Sequence, residues 1–206
     1  MKNVLLILAV LFATLPSASA ADDIRALADK MAVSHVSFAY SYEAVRDGTR
    51  MKGGGRAVVQ GDAFRMEADG LEIVSDGTVR WTADTDAQEL YIEPVDASAT
   101  DFVSNPARLL ANVDKAFRVD SMSRGTFRGQ PADVYVLTPS VSGTGIRRVE
   151  LCFSGRTLVG ASVTVKDGMT TDFMVSDLTF SDPGPAEDFR FDVKKAGNGW
   201  VVTDLR

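Results

Sequence analysis

Histidine and cysteine occur only once each, as His35 and Cys152, in a chain of 206 residues. One of each excludes a zinc site of the Cys/His type. A lone thiol cannot form an internal disulfide, and Cys152 is read as a small buried hydrophobe on a strand. A Ser-His-Asp triad would have to recruit His35, which stands at the mouth of an expected strand with no nucleophile-elbow motif elsewhere. There is no Gly-x-x-x-x-Gly-Lys phosphate loop, and Gly53-Gly54-Gly55 is expected to lie between strands as a flexible hairpin or edge feature. Carboxylate pairs such as Glu187 and Asp192, or Asp84 and Asp86, have no spacing that singles them out for glycoside hydrolysis. The expectation is a protein that is not an enzyme, with no metal, no cofactor and no catalytic residue. Basic residues are also outnumbered: 22 Lys and Arg stand against 28 Asp and Glu, a net charge of −6. Such a chain is a poor partner for nucleic acid or an anionic membrane surface.

Long apolar runs are confined to the start. Met1-Lys2-Asn3 is a short positive lead, Val4 to Leu15 is almost wholly apolar, Pro16 and Ser17 break the run, and Ala18-Ser19-Ala20 supplies small residues. This is the pattern of a secretory signal peptide, with cleavage expected after Ala20. The run is shorter than the ~20 apolar residues a spanning helix needs. No cysteine follows the cleavage site, so the chain is not expected to become a lipoprotein itself. The remainder, 21–206, is long enough for one domain with a substantial core. It is expected to be soluble, and it is one charge more negative once Lys2 is removed.

Periodicity supplies the fold class. Ile24, Leu27, Ala28 and Met31 fall on one helical face within 21–33. The period then changes to two: Val36, Phe38, Tyr40 and Tyr42 alternate with smaller or polar residues. Asp47-Gly48, Asp69-Gly70, Asp76-Gly77 and Asp167-Gly168 punctuate the rest of the chain, and Asp-Gly suits tight hairpins. Antiparallel strands are expected at 56–60, 63–68, 71–75, 78–83, 88–93, 132–138, 145–153, 157–166 and 169–180. Alternation is lost across 96–113, where Ser104-Asn105-Pro106 reads as a helix start and Leu109 and Leu110 as its apolar side.

Few helices are available to cover so many strands. A sheet curled in that way tends to enclose a cavity, and apolar walls without convergent catalytic groups point to an apolar guest. Phe38, Tyr40, Tyr42, Phe64, Met66, Leu71, Ile73, Val79, Trp81, Leu90 and Ile92 each keep one parity within their own strand and are the expected wall, with Leu109 and Leu110 above it. Taken singly, each of them is better read as a core residue packed under the helices.

Gly61 to Glu67, and then Leu71 to Thr82 with its Ile73-Val74-Ser75-Asp76-Gly77 and Trp81, resemble the periplasmic lipoprotein carrier family LolA. Further matches are the strand 36–42, the Asn105-Pro106-Ala107-Arg108-Leu109-Leu110 element, Phe189-Arg190-Phe191 and Val202-Thr203-Asp204. The resemblance implies a mainly β fold, a strongly curved antiparallel half-barrel with a helical lid over an apolar cavity. It also implies a function: binding the acyl chains of lipoproteins in the periplasm and moving them from the inner to the outer membrane. The implied partners are acylated lipoproteins, an inner-membrane lipoprotein-releasing ABC transporter and an outer-membrane acceptor, with the protein acting as a monomer. A periplasmic lipid-sensing module and a carrier of free lipid are alternatives on the same fold. In one place the sequence departs from the family: Gln60-Gly61-Asp62 stands where members carry an arginine that couples lid closure to release, and Met66 replaces a tryptophan.

Overall fold

The structure is a computed structural model that describes residues 18–68, 70–95 and 113–206. The Asn105–Leu110 element, with Leu109 and Leu110, lies outside the described residues, as does most of the expected leader. Helix α1 spans Ala18–Val33 and is followed at once by β1 (His35–Arg46) and β2 (Thr49–Gln60). Next come β3 (Ala63–Ala68), β4 (Leu71–Ser75), β5 (Val79–Asp84) and β6 (Glu89–Pro94). A single helical turn, α2 (Val113–Ala116), leads into β7 (Phe117–Phe127), β8 (Gln130–Pro139), β9 (Ile146–Ser154), β10 (Thr157–Val165) and β11 (Thr170–Ser181). Two 3-10 turns, Ala186–Phe189 and Val193–Lys195, precede β12 (Val201–Asp204).

All twelve strands join one sheet in the order β12-β6-β5-β4-β3-β2-β1-β11-β10-β9-β8-β7. Every pairing is antiparallel except that β12 runs parallel to β6. The hairpins follow the Asp-Gly punctuation: Asp47 and Gly48 both take positive φ, 49° and 79°, as a tight turn between β1 and β2 demands. Arg128 and Gly129 repeat that geometry between β7 and β8, with φ of 49° and 81°.

The structure corrects the reading of Gly53-Gly54-Gly55. These residues lie inside β2, paired with Tyr42, Ser41 and Tyr40 of β1. A Cβ on Gly54 would come within 2.7 Å of the Tyr40 carbonyl oxygen, and one on Gly55 would collide with the Glu67 carbonyl. Glycine here permits the close approach of β1, β2 and β3 backbones.

The core divides between the two faces. The larger cluster joins Ile24, Leu27, Ala28 and Met31 of α1 to Val36, Val59, Phe64, Tyr135, Leu137, Val149, Leu151, Phe153 and Leu158 of the sheet. Each large aliphatic side chain buried in this way contributes ~1.5–3 kcal/mol. The smaller cluster joins Val74, Trp81, Ala83, Leu90 and Ile92 to Phe191, with Val79, Ala196 and Trp200 against it. Register explains the split: Phe64 pairs with Ser75 and Ser75 with Arg80, whereas Arg65 pairs with Val74 and Val74 with Trp81. Directly opposed residues share a face, so the buried side of the sheet changes at β4. There Ile73 belongs to the α1 side and Val74 to the other.

Candidate functional site

Helix α1 lies across one end of the sheet and leaves a cavity of about 420 Å³ beneath it. Asp23, Ala26, Leu27 and Lys30 of the helix form one wall. Phe153 of β9, Thr157 and Leu158 of β10, and Leu178 and Phe180 of β11, with Arg156 of the β9–β10 turn, form the other. The sheet supplies these side chains by cross-strand pairing: Leu158 sits opposite Phe153. Phe180 sits opposite Val36.

One polar link ties the helix down. The Tyr135 hydroxyl donates to Asp23 Oδ2 at 2.9 Å. Burial, and then the neighbouring Asp23 carboxylate, push the Tyr135 phenol up from its ordinary 10 to about 12. A raised pKa means that the folded state holds the proton more tightly than the unfolded chain. The contribution is therefore complete below pH 10 and is lost as pH rises through about 12. Tyr135→Phe is expected to cost about 1 kcal/mol at pH 8. Urea titrations at pH 8 and in the alkaline range check this: the deficit relative to the parent should shrink as pH climbs above 10.

Of the expected wall, Phe38, Tyr40, Tyr42, Phe64, Met66, Leu71 and Ile73 share the face that carries α1. They run as a strip from the core outward. Phe64 is fully buried, Phe38, Met66 and Ile73 are half-buried against the core, and Leu71 is exposed at the far end. Phe38 stands edge-on to Tyr40 at 6.4 Å, and Tyr42 lies 6.2 Å from Phe173. Val79, Trp81, Leu90 and Ile92 are on the opposite face, beneath Phe191 and Trp200. The eleven described residues therefore do not form one wall, and none of them lines the cavity under α1. The reason is the change of face at β4, which parity within single strands does not reveal. The adjacent apolar pair Ile73-Val74, with one side chain packed against each core cluster, is the signal that marks it.

The cavity residues Ala26, Lys30, Phe153, Arg156, Leu158, Leu178 and Phe180 are not singled out by the sequence. Leu178 and Phe180 do alternate within 169–180. Their neighbours are set by pairing of β1 with β11, which no local pattern encodes.

Gln60, at the end of β2, anchors the segment after β11. Gly184 N–H donates to Gln60 Oε1 at 2.8 Å, and Gln60 Nε2 donates to the Gly184 carbonyl at 3.1 Å. These two bonds orient the amide, so His35 Nδ1, 3.2 Å from Oε1, is the donor in that contact. His35 is a structural residue at the strand mouth. Arg65 pairs with Glu72 and donates to the Asp188 carbonyl at 2.8 Å, holding the same segment from the same face as Gln60. Cys152 is buried, and burial followed by the charges of Glu150 and Asp172 pushes its thiol up to about 11. It is an inert packing residue.

Among the described residues, no group of three or more His, Cys, Asp or Glu side chains is placed to hold a metal ion. No helix among them is long and apolar enough to cross a membrane.

Among the described residues the chain forms one large, curved, open sheet, antiparallel but for its last strand and accompanied by few helices. The chain belongs to the LolA family: the family described as outer membrane lipoprotein carrier protein LolA matches residues 44–192. Among curated proteins no relative matches the sequence. Among solved structures, an uncharacterised conserved protein from Thermus thermophilus shares the fold, with 13% identity and a TM-score of 0.54 over 90% of this chain and 99% of that one. A LolA superfamily protein from Nitrosomonas europaea has 13% identity and a TM-score of 0.44 over 84% and 98% of the two chains. A putative outer membrane lipoprotein-sorting protein domain from Vibrio parahaemolyticus has 10% identity and a TM-score of 0.45 over 85% and 97%. Members of the family are binding and carrier proteins of the periplasm or envelope rather than enzymes.

Proposed function

We propose that this protein is a periplasmic carrier that shelters the acyl chains of lipoproteins between the inner and outer membranes. The observation that carries the reading is the cavity of about 420 Å³ between α1 and the sheet, walled by Leu27, Phe153, Leu158, Leu178 and Phe180. In this reading 1–20 is a cleaved signal peptide, 21–206 is the carrier domain, and α1 is a movable lid. Raising α1 would join the cavity to the half-buried strip Phe38, Met66 and Ile73, widening the floor for further chains. Loading would come from a lipoprotein-releasing ABC transporter and unloading would go to an outer-membrane acceptor.

Physical chemistry supports such an escort. Each acyl CH₂ left in water forfeits ~0.8 kcal/mol, so a lipoprotein does not cross an aqueous compartment unaided. The grip must also be released, which suits non-directional apolar contact under one hinged element. The purified protein is expected to form a water-soluble one-to-one complex with an acylated lipoprotein and to ignore the same lipoprotein lacking its acyl chains. Size-exclusion chromatography with native mass measurement checks this. Equal binding of the non-acylated form would refute the carrier reading, because recognition would then rest on the protein surface.

A further inference from the structure

We propose that the cavity under α1 takes a single-chain anionic amphiphile, tail inward, with its carboxylate or phosphate held between Lys30 and Arg156. The proposal rests on reading that cavity as an acyl-chain site, and it names the head group the site selects.

Two independent elements bring cations to the same mouth. Lys30 comes from the last turn of α1, and Arg156 from the β9–β10 turn. Lys30 does not point away into solvent. Its ammonium lies 3.9 Å above the centre of the Phe180 ring, and Phe180 is itself a wall of the cavity. A cation seated on an aromatic face keeps its stem along apolar surface and its charge at the rim. Neither cation has an ion-pair partner among the described residues. The one carboxylate in the lining, Asp23, already accepts the Tyr135 hydroxyl. The rim therefore carries a net positive charge in a chain whose overall charge is −6. Thr157 adds a hydroxyl to the same lining.

Size points the same way. Ligand cavities run from ~300 to 1,000 Å³, and about 420 Å³ is near the lower end. With α1 seated, that space suits one chain rather than the three of a triacylated lipoprotein. The apolar side chains Leu27, Phe153, Leu158, Leu178 and Phe180, with the cations Lys30 and Arg156 beside them, describe a ligand with one tail and one anionic head.

Displacement of the neutral dye Nile red from the purified protein tests this, using palmitate, single-chain lysophosphatidate and uncharged hexadecanol. Palmitate or lysophosphatidate is expected to bind about tenfold tighter than hexadecanol, as two partly exposed charge contacts warrant. The tighter of the two identifies carboxylate or phosphate as the preferred head. The preference should narrow as salt rises, because rim charges are screened. A Lys30→Gln, Arg156→Gln double variant should lower palmitate affinity to that of hexadecanol. Equal affinity for charged and uncharged amphiphiles, or a preference that survives the double substitution, overturns the head-group assignment and leaves the carrier reading standing. If none of the three displaces the dye, both fall.

Discussion

Phe64→Ala is expected to lower the stability of the folded protein by about 3–5 kcal/mol, the cost of emptying a large aromatic site in a packed core. Phe64 is only 1% exposed, and it stands between Val59 and Ser75 on neighbouring strands. Its surroundings are fixed on three sides by β2, β4 and the α1 stripe, so little collapse is available to relieve the void. A typical domain has ~5–15 kcal/mol in total, so this single change consumes a large share. Equilibrium unfolding in urea reads the difference directly. A loss below about 1 kcal/mol would mean that Phe64 borders open space and is a wall of a binding site.

The second large effect concerns occupancy. Ala26→Trp is expected to weaken binding of a lipid probe at least tenfold, or about 1.4 kcal/mol. Ala26 is exposed on α1 and lines the cavity, so an indole there competes with a ligand for the same volume. Ala32, also exposed on α1 but not part of the lining, supplies the control. Ala32→Trp carries the same helix-propensity penalty, a few tenths of a kcal/mol, without obstructing the site. Probe titrations on both variants, with urea midpoints alongside, separate blockage from damage. Equal affinities in the two variants would place the ligand elsewhere on the molecule.

Most of the sheet was legible because its signals are local. Asp47-Gly48 marks a turn and the 36–42 alternation a half-buried strand, and both are found where expected. The strip from Phe38 to Ile73 was legible as one face for the same reason. β7 was not, since 118–126 is exposed apart from Val119 and its pairing with β8 shifts between Val119 and Ser121. With no buried side to impose alternation, an edge strand leaves little trace in its sequence. The pocket under α1 was not legible because its composition depends on which distant strands meet. Leu178 and Phe180 became wall residues only when β11 paired with β1, and Trp81 left the wall only when register turned it beneath Phe191.

The parallel strand β12 also bears on how the molecule comes to exist. Its partner β6 precedes it by more than a hundred positions, with Val201 opposite Glu89. Until residues 201–204 have been delivered, β6 offers an unsatisfied row of amides and carbonyls to any passing chain. Contacts this remote in sequence make for slow maturation. During that interval the newly made polypeptide is vulnerable to self-association, and truncation before Val201 would make that vulnerability permanent. Yield in the cell should therefore depend on folding helpers more than the equilibrium strength of the finished sheet would indicate.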